Sequence, residues 1–131
     1  VTLLGMFWHS DSRVITMANA GVFPPIVCRQ GRILKQRVEG IPLGLLDDRH
    51  YDQVTLALQP GDVLFLYSDG VLEQRNLHGD EYGRARIYRL LEALWDQPAQ
   101  RIADAVFEDL DLFRGDAEIA DDQTVLAFKV H

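Results

Sequence analysis

The sequence predicts an α+β domain in which helices cover one face of a mainly antiparallel sheet structure. Three observations lead there. Short apolar runs, punctuated by Gly, Pro and Asp, occupy the first half of the chain. Between Tyr82 and Phe113 the apolar residues recur instead at a period of about 3.6, the helical repeat. A last apolar run, TVLAFKV, closes the chain. Strands, then two helices, then a strand is the order of an α+β fold.

Each element has its own signal. Residues 1–8, VTLLGMFW, read as a buried strand, and the polar cluster His9-Ser10-Asp11-Ser12 turns it into RVITMAN, predicting a hairpin. Residues 19–25, NAGVFPP, are loop, since Pro24-Pro25 excludes a helix. IVCRQGRILKQRV predicts two short strands about Gln30-Gly31. GIPLGLLDDR, residues 40–49, is a Gly/Pro-punctuated loop, and YDQVTLAL alternates as a strand should. Gln59-Pro60-Gly61-Asp62 marks a turn. VLFLYS is apolar on both faces, which places it mid-sheet under cover on both sides. Ile87, Leu90, Leu91, Leu94 and Trp95 define one amphipathic helix. Asp96-Gln97-Pro98 breaks it, and Ile102, Ala103, Val106, Phe107, Leu110 and Phe113 define a second, stopped at Arg114-Gly115-Asp116.

At 131 residues the chain has the length of one domain with one core. Its net charge of −7, without a Lys/Arg cluster, argues against a nucleic-acid partner. No apolar run reaches the roughly 20 residues of a membrane span. One cysteine, Cys28, and no leader-like start fit a cytoplasmic setting. The abrupt apolar start suggests a segment cut from a longer chain.

The chemistry-bearing residues are carboxylates. Ser68-Asp69-Gly70 ends a central strand, so Asp69 is held by a rigid element beside a glycine that lets a ligand approach the main chain. On this stretch alone, an Asp capping a turn or helix start is the stronger reading. Asp121-Asp122 stands just before the last strand, and adjacent acids repel unless a cation or donor compensates. If the last strand pairs antiparallel with VLFLYS, Asp69 and Asp121 converge at one sheet end. Convergent carboxylates without His or Cys favour Mg²⁺ or Mn²⁺ over Zn²⁺.

Five motifs then occur in order: NAGVFPP, GIPLG, PGDVLFLYSDGVLEQRN, GDEYG and DDQT. In that order and spacing the chain resembles the SpoIIE-type branch of the metal-dependent, protein phosphatase 2C-like phosphatases. The resemblance implies part of an αββα sandwich with a two-metal site at one end of the sheets. It implies Asp69 and Asp121 as metal ligands, with Asp122 ranked second. Gly70 would shape the backbone, Glu73 matches an acidic position near the site in some relatives, and Asn19 and Gly21 would shape a neighbouring loop. For Asn19, local turn hydrogen bonds are an equally good reading. No catalytic residue beyond the metal ligands is implied.

The activity implied is that of a Mn²⁺- or Mg²⁺-dependent serine/threonine protein phosphatase, two ions activating a water that attacks phosphorus in line. The implied substrate is a phosphorylated anti-sigma-factor antagonist in bacterial signalling. An upstream sensor or receiver module and a homodimer are the implied regulatory partners. The family's bridging Asp, in an N-terminal D-x-x-G-x-G-like segment, has no counterpart here. Residues 1–131 are therefore expected to be the C-terminal part of one phosphatase domain, inactive alone. The alternative is a degenerate, non-catalytic module for partner binding or dimerisation.

The remaining candidates have plainer roles. His9, His50, His78 and His131 read as surface residues, Cys28 as packed, and Trp8 and Trp95 as core. Arg75 reads as ion-paired to Glu73 or Asp80.

Overall fold

In a computed structural model, residues 1–35, 40–48 and 50–131 are described. Two antiparallel sheets stack, and two long helices cover one of them. The first sheet has the order β1-β2-β5, from β1 (Leu3–His9), β2 (Val14–Ala20) and β5 (Gln53–Ala57). The second has the order β4-β3-β6-β7, from β3 (Ile26–Arg29), β4 (Arg32–Leu34), β6 (Val63–Tyr67) and β7 (Val125–Lys129). Between β6 and β7 lie α1 (Asp69–Leu72), α2 (Arg84–Leu94) and α3 (Ala99–Arg114).

The expected hairpins form. β1 pairs with β2 from Leu3↔Ala20 to His9↔Val14, and β3 pairs with β4 about Gln30-Gly31. The KQRV part of the second hairpin's predicted strand falls mostly outside the described residues. β6 is central because it is apolar on both faces, as its sequence requires. Val63, Phe65 and Tyr67 face the helices, packed with Ile87, Leu91, Ile102 and Val106. Leu64 and Leu66 face the other sheet, packed with Ile15, Met17 and Leu58. Phe65 is fully buried, worth about 1.5–3 kcal/mol over exposure.

The helices depart from the predicted stripes in one detail. Ala105 is buried and Phe107 is exposed, because the core face of α3 runs Ile102, Ala105, Val106, Leu110. The N–H of Gly115 bonds the Asp111 carbonyl, and its φ of 58°, a positive value that glycine adopts without strain, turns the chain out of the helix. After α2, Lys129 Nζ on β7 donates to the carbonyls of Trp95 (2.9 Å) and Gln97 (2.7 Å). A cation at these late carbonyls complements the negative helix end and ties α2 to the sheet. Trp95 packs against the helix-side core. Trp8, expected in the core, is 43% exposed. It lines a 540 Å³ seam where the first sheet does not reach across β7.

One buried ion pair braces the turn into β6. Asp62, 1% exposed, accepts from Arg29 Nε (2.9 Å) and Nη2 (2.7 Å) and from the Gln59 N–H (2.8 Å). Among the described residues no helix is long and apolar enough to cross a membrane.

Candidate metal centre

β6 and β7 run antiparallel, with Tyr67 opposite Val125, so the end of one meets the start of the other. The expected convergence of the two acidic segments is therefore present at the backbone. Ser68 fastens it. Its N–H donates to the Thr124 carbonyl (3.0 Å), and its Oγ donates to the Asp122 carbonyl (3.0 Å) and accepts from the Thr124 N–H (3.0 Å). A hydroxyl that gives and accepts at once fixes the register of both segments.

Immediately after Ser68 the chain turns into α1, which the sequence reading left as a turn. Four residues form it, closed by the Glu73 N–H on the Asp69 carbonyl (2.8 Å). Ser68, not Asp69, occupies the N-cap, and neither side chain makes a cap hydrogen bond. Capping therefore does not account for the Asp69 carboxylate. Its place in the first turn of a helix still favours negative charge.

Gly70 is buried against the opposite segment. A Cβ there would overlap the Asp122 carbonyl oxygen and lie 2.9 Å from its carbon and 3.1 Å from the Asp121 oxygen. Only a residue without a side chain lets these two backbones come so close. A second strap lies beneath. Gln74, 3% exposed, accepts from Gln123 Nε2 (2.7 Å) and donates to the carbonyls of Arg75 (2.9 Å) and Glu118 (3.0 Å). Ser68, Gln74 and Gln123 were not singled out in the sequence. A glutamine inside a charged run carries no signal of burial, and Ser68 was legible only as the neighbour of Asp69.

The acids themselves, Asp69, Glu73, Asp121 and Asp122, are exposed. Among the described residues none of them pairs with a cationic side chain. Asp121 Oδ1 accepts the Asp122 N–H (2.7 Å), which orients one carboxylate and leaves its other oxygen available. Hard anionic oxygens without a protein cation suit a divalent ion such as Mg²⁺ or Mn²⁺. The set is partial: among the described residues no three His, Cys, Asp or Glu side chains cluster to hold a metal.

The loop motifs gather at the same sheet end. Asn19, 2% exposed, donates from Nδ2 to the Val22 carbonyl (2.8 Å) and accepts the Val22 N–H at Oδ1 (2.9 Å). These are the local turn bonds that its sequence context allowed. Gly21, at φ 82°, lies where a Cβ would sit 2.7 Å from Pro42 Cγ, and Gly40 packs on the Asn19 carbonyl. NAGV and GIP therefore form one packed unit, with Phe23 stacked on Tyr67 at 5.7 Å between centroids.

The plainer assignments mostly stand. His9, His50, His78 and His131 are exposed, and Cys28 is buried. Burial pushes its thiol above the usual cysteine range. Arg75 pairs with Glu81 (3.4 Å), not with Glu73 or Asp80, because an isolated bridge sets Arg75 opposite Glu81.

The fold and the sequence both have counterparts among known proteins. The family model described as Stage II sporulation protein E (SpoIIE) matches residues 1–131. The phosphoserine phosphatase RsbU of Bacillus subtilis (strain 168) is 28% identical over 131 residues, covering 98% of this chain and 38% of RsbU. A manganese-presoaked structure of the phosphatase domain of SpoIIE from Bacillus subtilis superposes with a TM-score of 0.77 at 22% identity. That match covers 98% of this chain and 56% of the solved one. The SiaA PP2C domain of Pseudomonas aeruginosa gives 0.76 at 26% identity, covering 92% of this chain and 48% of that one. The chain thus spans well under two thirds of the length of each.

Proposed function

The chain belongs to the SpoIIE family of PP2C-type phosphatases, and from that premise we propose that the protein is a metal-dependent serine/threonine protein phosphatase of bacterial signalling. Its proposed substrate is a phosphorylated protein of the anti-sigma-factor-antagonist type. The observation that carries the reading is the meeting of Asp69 and Asp121-Asp122 through Ser68 and Gly70.

Hydrolysis of a phosphoserine makes one oxygen–phosphorus bond from water and breaks the ester bond to the serine oxygen. Phosphoryl oxygens bring negative charge to an end of the protein that already carries several exposed acids. Mn²⁺ or Mg²⁺, two ions in this reading, supplies charge neutralisation and a water of lowered pKa. Asp69 and Asp121 are the proposed ligands, with Asp122 second. Glu73, one α1 length from Asp69, adds negative charge beside them. Gly70 and Ser68 set the distance between the ligand-bearing backbones, while Asn19 and Gly21 build the adjoining loop. The buried Gln74–Gln123 strap holds the two segments while charge changes at the surface. In this reading the remaining ligands, a bridging Asp among them, lie N-terminal to Val1, and residues 1–131 alone do not turn over. A sensor or receiver module upstream and a homodimer complete the proposed regulation.

The test is phosphate release from a phosphoserine anti-sigma-factor antagonist by the full-length protein, with and without Mn²⁺, beside Asp69→Ala. Turnover that needs Mn²⁺ and disappears in Asp69→Ala supports the reading. A second reading is a phosphatase fold that binds partners without turnover. Calorimetry separates the two: absence of any Mn²⁺ heat in the full-length protein leaves the binding module.

A further inference from the structure

On a protein of net charge −7, one small pocket has the opposite character. It is a cavity of 250 Å³ between the start of β3, the end of β4 and the beginning of α2. Among the described residues its polar lining is Lys35, Tyr67, Arg84 and Tyr88, two cations and two phenols without an acid. Pro24 and Leu34 contribute to an apolar wall. Ligand cavities for drug-sized molecules run to about 300–1,000 Å³, so this one takes a side chain, not a nucleotide.

Arg84 is held ready in it. Its Nε donates to the Tyr67 hydroxyl (3.0 Å), and its guanidinium lies 5.7 Å from the Phe23 ring centre. Among the described residues it has no carboxylate partner. Tyr88 is a second phenol within its reach, and a guanidinium held by two phenols and a ring face, with its charge unneutralised, is set to receive an oxyanion. The pocket is also tied to the candidate metal centre. Tyr67 stands two residues before Asp69, and Gly83, just before Arg84, donates its N–H to Leu72 at the end of α1 (3.0 Å).

We propose that the Arg84 pocket is a recognition subsite that takes an acidic side chain of the phosphoprotein substrate, flanking the phosphorylated residue. Arg84 makes the charge-assisted bond, Lys35 adds field, and the apolar wall covers the stem of the substrate's Asp or Glu. The proposal rests on the phosphatase reading for the identity of the substrate, but the pocket's preference for a carboxylate is measurable without turnover.

The test uses fluorescent phosphoserine peptides in an Ala/Gly background, each with one Glu at a position from −4 to +4, and their Gln counterparts. Full-length protein is assayed for Mn²⁺-supported phosphate release, and for peptide binding by anisotropy without metal. In one register Glu should be preferred over Gln by about tenfold, the scale of one charge-assisted pair. In Arg84→Gln that ratio should fall to about 1 whatever the basal rate, with Arg84→Lys between. Lys35→Gln should lower it partially while keeping Arg84 and its bond to Tyr67, which guards against a misfolded Arg84 variant. A Glu preference in binding without any turnover would remove the phosphatase reading and leave the pocket standing. Absence of an Arg84-dependent Glu preference in every register, by both readouts, would overturn the proposal, as would an equal response to free inorganic phosphate displacing Glu and Gln peptides alike.

Discussion

Replacing Gly70 with Ala tests the candidate centre without touching any carboxylate. The added Cβ would stand 2.9 Å from the Asp122 carbonyl carbon and 3.1 Å from the Asp121 oxygen, and closer still to the Asp122 oxygen. Comfortable separations are about 3.5–4.0 Å, and the Asp122 oxygen is the tightest of the three contacts, so the 121–122 backbone must retreat by about an ångström or more. It cannot do so freely. The Ser68 bonds to Asp122 and Thr124, all 3.0 Å, would stretch past the limit of hydrogen bonding. Overpacking against backbone costs about 1–3 kcal/mol, within a total stability of about 5–15 kcal/mol, so the variant folds but melts lower. Its effect on function should be larger. Displacing ligand groups by about an ångström costs about 10²-fold in rate. The assays are thermal unfolding and Mn²⁺-dependent kcat/KM of the full-length protein. Gly5→Ala is the control, its Cβ 3.9 Å from the Ala18 carbonyl and free of conflict. If Gly70→Ala matches the wild type within twofold in rate and within a degree in melting, the two acidic segments do not approach as described.

Other expectations follow from separate parts of the molecule. Asp69→Asn keeps shape and removes charge, so Mn²⁺ affinity measured by calorimetry should drop at least about tenfold with melting little changed. Arg29→Ala leaves the buried Asp62 carboxylate with the Gln59 N–H alone, and urea unfolding should show a loss of about 3–5 kcal/mol. Burial pushes the Tyr67 and Tyr82 hydroxyls above 10.0, and the Asp109 carboxylate, 2.7 Å from Tyr82, adds to the second. With both folded values above the unfolded ones, their contribution is full below pH 10 and falls as pH rises beyond it. Tyr82→Phe should flatten that alkaline loss. The Cys28 thiol, fully buried and raised by burial, should react with a disulfide reagent at least about tenfold more slowly folded than in denaturant.

Much of this was legible before any coordinates. A strand apolar on both faces has few places to go, and β6 sits where that pattern requires. The antiparallel pairing that brings Asp69 towards Asp121 stood as a condition in the sequence, and β6 and β7 meet it. Boundaries and local packing were harder. α1 is four residues long, too short for a periodic signal, so its existence depends on Ser68 and on contacts from 54 residues away. Phe107 looked like core because it falls at helical spacing in the apolar stripe, yet the buried face of α3 takes Ala105 instead. Trp8 was misplaced for a related reason: its strand is an edge strand, and the sheet behind it ends short. Gln74 and Gln123 carry no sequence signature at all, since a buried amide is recognisable only when its partners are seen.

The Ser68–Asp122 bond closes a loop of 54 residues, and both long helices lie inside it. Closing a flexible loop of that length costs about 3.5 kcal/mol beyond a constant. The helical layer offsets this cost by lodging against β6 and β7, so helix packing and the approach of the two carboxylate-bearing segments belong to one closed loop. Its closing contacts are long-range in sequence. In the proposed reading, linkage makes the dependence mutual: whatever loosens α2 or α3 from the sheet would weaken cation binding, and a bound cation would hold the helices down.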